Sequence, residues 1–243
     1  MSNEVGLPDF DALYRDEPTV APWDIGGPQP IVQQLVAFGG VRGEVLDPGT
    51  GPGHHAIYYA SKGYSVTGID SSSAGIERAK ANAARAGVSV DFRVADASKL
   101  DGLENRFDTV VDCAFYHVFT DEDTQAGYMA ALHRATKPGA RLFMFEMGMH
   151  NINGIQCGLV SADNFERVLP PAGWRIDYIG PGSWVNNYVP ESFARLSAVQ
   201  SEGNPELAER SKRLLHQLEV IGPLLTDNRI YMPFWAVAAT RVD

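Results

Sequence analysis

Cysteine is scarce: the 243 residues contain two, Cys113 and Cys157. Two distant thiols build no disulfide framework, and neither has the C-x-x-C spacing of a redox or zinc site. Both are expected as reduced, buried thiols. Clustered positive charge is also missing, since 20 Lys and Arg against 30 Asp and Glu leave a formal charge of -10. Nucleic acid and anionic membranes are bound through grouped Lys and Arg, so this balance argues against both and for a small-molecule partner. No apolar run reaches the ~18 residues that a spanning helix needs. The opening M-S-N-E-V-G-L-P-D-F has no basic region followed by an apolar core, and a cytoplasmic location is expected. Repeats, low-complexity blocks and Pro/Ser-rich linkers are absent too, so nothing in the composition divides the chain.

What is present is an alternation of short β-rich runs with helical patterns. At 44% hydrophobic, the chain can bury the core of one α/β domain, with right-handed crossovers and a sheet covered on both faces. Strands are expected at 44–47, 64–69, 88–94, 107–111, 140–146, 174–179 and 230–241, with the last pair a closing hairpin. Helices are expected at 9–17, 29–38, 54–61, 125–135 and 162–169, and in an insertion at 191–199 and 206–220. The K-P-G turn at 137–139 should stop one helix before its strand. The expected organisation is a single domain of residues 1–243: an N-terminal lid (1–40), a core (41–180), a helical insertion (181–228) and a final strand (229–243).

Residues 44–53 read E-V-L-D-P-G-T-G-P-G, a strand that ends in an acid and runs into Gly49, Gly51 and Gly53. Glycines at this spacing let the backbone turn sharply and lie flush against a ligand before a helix begins near His54. The dinucleotide fingerprint would need a third glycine where His54 stands, so a nicotinamide cofactor is the weaker reading. About 20 residues further on, Asp70 ends the second strand, where a carboxylate can accept both hydroxyls of a ribose. With Ser71, Ser72 and Ser73 it can equally cap the next helix, and the two roles are compatible.

A strand reading V-L-D followed by G-x-G-x-G resembles motif I of the class I S-adenosylmethionine-dependent methyltransferases. The K-P-G turn before a strand is similar as well, and W-D-x-G-x-x-x-P (Trp23, Asp24, Gly26, Pro30) resembles the N-terminal segment of thiopurine and thiol methyltransferases. Over nearly its whole length, including V-L-D-P-G-T-G-P-G-H-H-A, C-A-F-Y-H and F-W-A-V-A-A-T-R-V-D, the chain is similar to the bacterial heterocyclic toxin methyltransferases. Pro48 and Thr50 depart from the aliphatic residue and cysteine commoner in that loop, while all three glycines remain.

The resemblance implies a Rossmann-like, seven-stranded, mostly parallel sheet with an antiparallel last strand. It also implies S-adenosyl-L-methionine as cofactor and S-adenosyl-L-homocysteine as product. It places Asp47, Gly49, Thr50, Gly51 and Gly53 beneath the amino-acid end, Asp70 and Ser71 at the ribose, Asp96 and Ala97 at the adenine, Cys113 near the sulfonium, and Trp23 in a lid. Asp96 can instead simply cap the turn into Ser98 and Lys99. The implied reaction is methylation of a hydroxyl or N-hydroxyl on a flat heterocycle such as a hydroxyquinolone, in detoxification, by a monomer or weak homodimer. Methylation at sulfur or nitrogen, or of a quinone precursor, stays open, as do a nicotinamide-dependent reductase and a noncatalytic cofactor-binding protein.

Methyl transfer from a sulfonium is an in-line displacement that mainly requires a positioned acceptor and exclusion of water. An acidic heterocyclic hydroxyl needs little help in losing its proton. If a base is used, His117 is the first choice because imidazole titrates in the useful range, with Tyr116 orienting; a pocket-shaping histidine is the equal alternative. His150 is a second candidate. Phe10, Tyr14, Trp23, Tyr116 and Phe119 are expected to form an aromatic acceptor slot, although core packing serves equally for Phe119. His54 and His55 diverge from a helix start and have no third ligand at suitable spacing, so no metal is assigned.

Overall fold

The structure, a computed structural model, describes residues 9–15, 21–156, 158–201, 205–225 and 227–243, the side chains of 196, 199–201, 206 and 207 excepted. Cys157 and the end of the first expected helix, residues 16 and 17, lie outside the described residues.

Helices α1 (Phe10–Arg15) and α2 (Pro30–Ala37) precede a strand–helix alternation: β1 (Glu44–Pro48), α3 (His54–Ser61), β2 (Ser65–Asp70), α4 (Ser73–Ala86), β3 (Asp91–Val94), β4 (Phe107–Cys113), α5 (Glu122–Ala135) and β5 (Thr136–Met147). Then come α6 (Ala162–Val168), β6 (Trp174–Asn187), α7 (Pro190–Ser201), α8 (Pro205–Ile221) and β7 (Arg229–Arg241). The seven strands form one sheet in the order β3-β2-β1-β4-β5-β7-β6. β1 to β5 pair in parallel, and β7 runs antiparallel to both β5 and β6. The order reverses between β1 and β4, and the crevice outside their carboxyl ends is where open α/β sheets bind ligands.

Alternation along each strand sends neighbours to opposite faces. Leu46, Val110 and Leu142 pack with Tyr128 and Leu132 of α5 and Phe165 of α6. Val45, Val111 and Phe145 pack with Val32 of α2, Tyr59 of α3, Ile76 of α4 and Leu218 of α8. Each fully buried aliphatic or aromatic side chain contributes roughly 1.5–3 kcal/mol relative to exposure. Local signals set the helix ends: Ser72 Oγ accepts the Gly75 N–H at 3.0 Å, and Gly87 closes α4 in the left-handed conformation at φ 67°.

Three expectations are corrected. The third strand begins only at Asp91. K-P-G lies inside β5: Phe107 pairs with Thr136 but Thr109 with Arg141, so residues 137–140 bulge, with Gly139 at φ 73°. β6 continues through Asn187, so the first seven residues of the expected insertion are strand. Gly180, Pro181 and Gly182 read as breakers, yet β6 pairs only with β7, and an edge strand tolerates a proline.

The N-terminal segment is bound to this frame. Asp11 Oδ1 accepts Ala74 N–H at 3.0 Å and Ser72 Oγ–H at 2.8 Å, so α1 caps the start of α4 from outside it. Those bonds hold the Asp11 carboxyl down at about 2. Further along, Pro22 and Asp24 carbonyls accept the backbone and side-chain N–H of Asn187 at 2.7 and 2.6 Å.

Candidate active site

A cavity of about 620 Å³ opens at the carboxyl ends of β1, β2 and β4, beneath α1 and the Trp23 loop. Trp23, Gly49, Thr50, Gly51, Asp70 and Ser71 line it, as do Asp96, Ala97, Cys113 and His117. Phe10, Tyr14 and Phe119, expected to form the aromatic slot, also face it. Asp47, Gly53, Tyr116 and His150 do not.

All three loop glycines have positive φ: 66° at Gly49, 48° at Gly51 and 81° at Gly53. A Cβ would stand 2.4 Å from the Phe115 ring at Gly49, 2.7 Å from Tyr14 Oη at Gly51 and 2.7 Å from Phe92 Cζ at Gly53. The protein's own aromatic side chains therefore forbid a side chain at these positions, in addition to any ligand. Gly53 faces the α4 side, away from the cavity. Asp47 lies under the loop and is 1% exposed, with the Thr50 hydroxyl donating to its Oδ2 at 2.6 Å. Burial, with Asp112 nearby, pushes Asp47 up to about 7.

At the end of β2, Asp70 Oδ2 accepts the Gly51 N–H and Oδ1 the Ser72 N–H, both at 2.8 Å. Asp70 thus ties the glycine loop to the turn before α4, while Ser72 provides the helix cap. Each carboxylate oxygen has a further lone pair, and burial raises the Asp70 pKa. Asp96 fulfils its capping alternative: Oδ1 accepts Ser98 N–H at 2.9 Å and Oγ–H at 2.6 Å, which lowers its pKa. Burial and the neighbouring Asp47 push the Cys113 thiol far up, so it is protonated.

Two candidates are displaced from the site. Asp112 Oδ1 accepts the N–H groups of Phe115 and Tyr116 at 3.1 and 3.3 Å, opening a tight turn that sends Tyr116 into the core. There its ring stacks on Phe165 at 5.6 Å, and its hydroxyl lies 2.8 Å from Asn164 Oδ1 and 3.0 Å from Gln125 Oε1. Tyr116 is 0% exposed and does not line the cavity, and its hydroxyl bonds Asn164 and Gln125 rather than His117. His150 folds back over Gly148, which has no side chain to block it, and packs 4.4 Å from Trp235.

His117, in the same turn, does reach the cavity. Its Nδ1 lies 2.7 Å from Glu146 Oε2, which also accepts the His117 backbone N–H at 3.1 Å. Burial lowers His117 to about 4, so the imidazole is neutral at pH 7. Glu146 and Asp112 are both 0% exposed and were not foreseen as site residues. A signal was available: Asp47, Asp70, Asp112 and Glu146 each stand last or next to last in their strands, in otherwise apolar runs.

Also unforeseen, Asp24 bonds His54 Nε2 at 2.9 Å, and Trp184 stacks on Phe234 at 4.9 Å. Arg210 brings α8 to the rim and donates to the Gly158 carbonyl. Asp47, His55 and Cys113 bring ligand atoms within 4.8 Å of one another, so the two donors that gather beside His55 come from strand ends and His54 takes no part. The Gln29 N–H donates to His55 Nε2 at 3.3 Å and the Thr50 hydroxyl occupies Asp47 Oδ2, so two of the three are already engaged within the protein.

Comparison with known proteins agrees with this geometry. The profile of the family described as "Methyltransferase domain" matches residues 45–139. A 2-heptyl-1-hydroxyquinolin-4(1H)-one methyltransferase of Mycobacteroides abscessus is 38% identical over 137 residues, covering 54% of this chain and 60% of that protein. An uncharacterized methyltransferase of Schizosaccharomyces pombe is 34% identical over 110 residues, 45% of this chain and 75% of its own length. A solved structure described as "Conversion of a Disulfide Bond into a Thioacetal Group during Echinomycin Biosynthesis" superposes with a TM-score of 0.72 at 28% identity, covering 96% of this chain and 91% of the other.

Proposed function

Because this chain belongs to the class I S-adenosylmethionine-dependent methyltransferases, we propose that it methylates a hydroxyl or N-hydroxyl on a small, flat aromatic heterocycle of the hydroxyquinolone kind. The observation that carries this reading is the composition of one continuous cavity. One part has the glycine loop and the Asp70 carboxylate; another has Phe115, Phe119, Leu159, Trp184 and Phe234, apolar faces suited to a flat ring. The identity with the hydroxyquinolone methyltransferase supports the same acceptor class.

The residues present fit an adenosyl sulfonium. Asp70 would take the ribose hydroxyls, Asp96 and Ala97 the adenine edge, and Ser71, Cys113, Trp23 and the backbone from Gly49 to Gly51 the remainder, with Asp47 bracing the loop through Thr50. When bound, S-adenosylmethionine supplies an electrophilic methyl group and leaves as S-adenosylhomocysteine. The chain's own work is to exclude water, align the acceptor and accept a proton where the acceptor is not already ionised. His117 faces the cavity in its neutral form and is the proposed base, and Phe10, Tyr14 and Phe119 are the proposed acceptor walls. Lid, core and insertion act as one catalytic unit, since Trp23, Asp70 and Arg210 line the same space. Detoxification in the cytoplasm, by a monomer or weak homodimer without nucleic-acid or membrane partners, is the proposed setting. Among the described residues no helix is long and apolar enough to cross a membrane.

Labelled S-adenosylmethionine incubated with hydroxyquinolones, phenols and thiols, with products read by mass spectrometry, tests the reading. Methylated hydroxyquinolone is the expected product. A thiol as the sole methylated acceptor would overturn the acceptor class.

A further inference from the structure

We infer that Glu146 is the positioning residue for His117: its buried carboxyl oxygen Oε2 holds Nδ1–H and leaves Nε2 as the basic atom facing the cavity. This rests on the methyl-transfer reading and adds to it a buried device that no part of the site reading requires.

The geometry is specific. Glu146 Oε2 takes both the ring and the backbone of His117, whereas Oε1 is buried with no N–H or O–H donor. A buried carboxylate oxygen without a donor is costly, and the neighbour that can supply one is the carboxyl of Asp112, which interacts directly with Glu146. Asp112 is held by three donors of its own: Phe115 and Tyr116 N–H on Oδ1, and the Tyr128 hydroxyl on Oδ2 at 2.8 Å. Two carboxyls in contact at zero exposure do not both ionise. Burial pushes Asp112 well above the carboxylate range and Glu146 up to about 8. At pH 7 the pair therefore keeps its protons, and Oε2, which accepts the His117 backbone N–H, stays an acceptor.

That oxygen selects the tautomer of the ring. A carboxyl oxygen 2.7 Å from Nδ1 accepts its N–H, while the Met147 N–H, the competing contact that would make Nδ1 an acceptor, lies at 3.4 Å and is the weaker. The other side chains around the imidazole, Phe234 of β7 edge-on at 6.2 Å and Asp112 of β4, offer no second donor to Nδ1. As the acceptor oxygen bonds to the methyl carbon and the carbon–sulfur pair goes to sulfur, the acceptor proton passes to Nε2. The imidazolium so formed keeps its Nδ1–H bond to Glu146, and Nε2 later releases its proton to water. Glu146 touches neither substrate, so its effect runs through His117.

Nitrogen-15 NMR of histidine-labelled protein, with the His117 signal assigned by its loss in His117→Gln, reads the tautomer directly and requires no turnover. The proposal expects Nδ1–H with unprotonated Nε2 at pH 7; Nε2–H would overturn it. In Glu146→Gln, the acid limb of the kcat/KM profile should move down by about one unit, because an amide cannot ionise to stabilise the imidazolium. The same variant should methylate a weakly acidic phenol about 100-fold more slowly and a pre-ionised N-hydroxy heterocycle within about threefold of the parent. Equal losses for both acceptors with an unmoved limb would reduce Glu146 to a packing role and sink the inference. If the parent protein binds S-adenosylhomocysteine but methylates none of the acceptors, the acceptor assignment fails, while the tautomer still decides the role of Glu146.

Discussion

The Tyr14 hydroxyl on the lid helix occupies the space above Gly51, 2.7 Å from where that residue's Cβ would stand. The lid and the glycine loop are thus fitted to each other, and the fit predicts coupling between them. Gly51→Ala adds a methyl at φ 48° against Tyr14 and should destabilise the protein by about 1–3 kcal/mol. Tyr14→Phe removes the contacting atom. The double variant should recover part of the loss in denaturant melts, and strict additivity would mean that the two residues do not meet.

Asp70→Ala removes the acceptor for both Gly51 and Ser72 N–H and should weaken S-adenosylhomocysteine binding by about 1–3 kcal/mol. Asp70→Asn keeps one acceptor oxygen and should fall between. Titration calorimetry that finds the same affinity in all three proteins would take Asp70 out of the site.

Tyr116→Phe separates the core from the cavity. The lost hydroxyl leaves Asn164 Oδ1 without its donor in the interior, while Gln125 Oε1 still accepts from Asn164 Nδ2, so stability should drop by about 1–3 kcal/mol. Because Tyr116 does not line the cavity, kcat and KM should stay within about twofold of the parent. A large fall in kcat without loss of stability would return Tyr116 to the reaction.

Stability should also depend on pH in a window set by the buried groups. Asp47 and Glu146, held at about 7 and about 8, carry protons in the folded protein that the unfolded chain releases above its ordinary carboxylate range. The folded state then binds more protons, and stability declines as pH rises through those values. His117 and His55, held neutral with folded values of about 4 and about 3, act oppositely as pH falls below the ordinary histidine value of 6.5. The two effects offset each other below 6.5, leaving a net fall in Tm from about pH 6.5 to 8. Glu146→Gln should flatten that slope, and a parent Tm that rises across the window would contradict the assignment.

β1, β2, β4 and β5 were legible because each has an apolar run with an acid at or next to its end, and the helices carry their own punctuation, as with Ser72 and Gly87 around α4. β6 was not, since Gly180, Pro181 and Gly182 look like an ending unless the strand is known to be an edge. That Phe10, Tyr14 and Trp23 would line the cavity was readable from the resemblance of the N-terminal segment to thiopurine and thiol methyltransferases. Which of Tyr116 and His117 enters the cavity was not, because one tight turn after β4 sends neighbours to opposite sides. Glu146 was overlooked for a related reason: its importance comes from Asp112 and His117, which reach it only through the sheet.

Asp11 carries a final consequence. By capping α4 from the lid, it makes one carboxylate a component of two structures, and α4 begins just beyond the turn that Asp70 braces. Moving α1 away would uncap that helix and loosen the Asp70 side of the crevice in the same motion. Release of spent product and exposure of the reaction chamber to solvent would then be a single event.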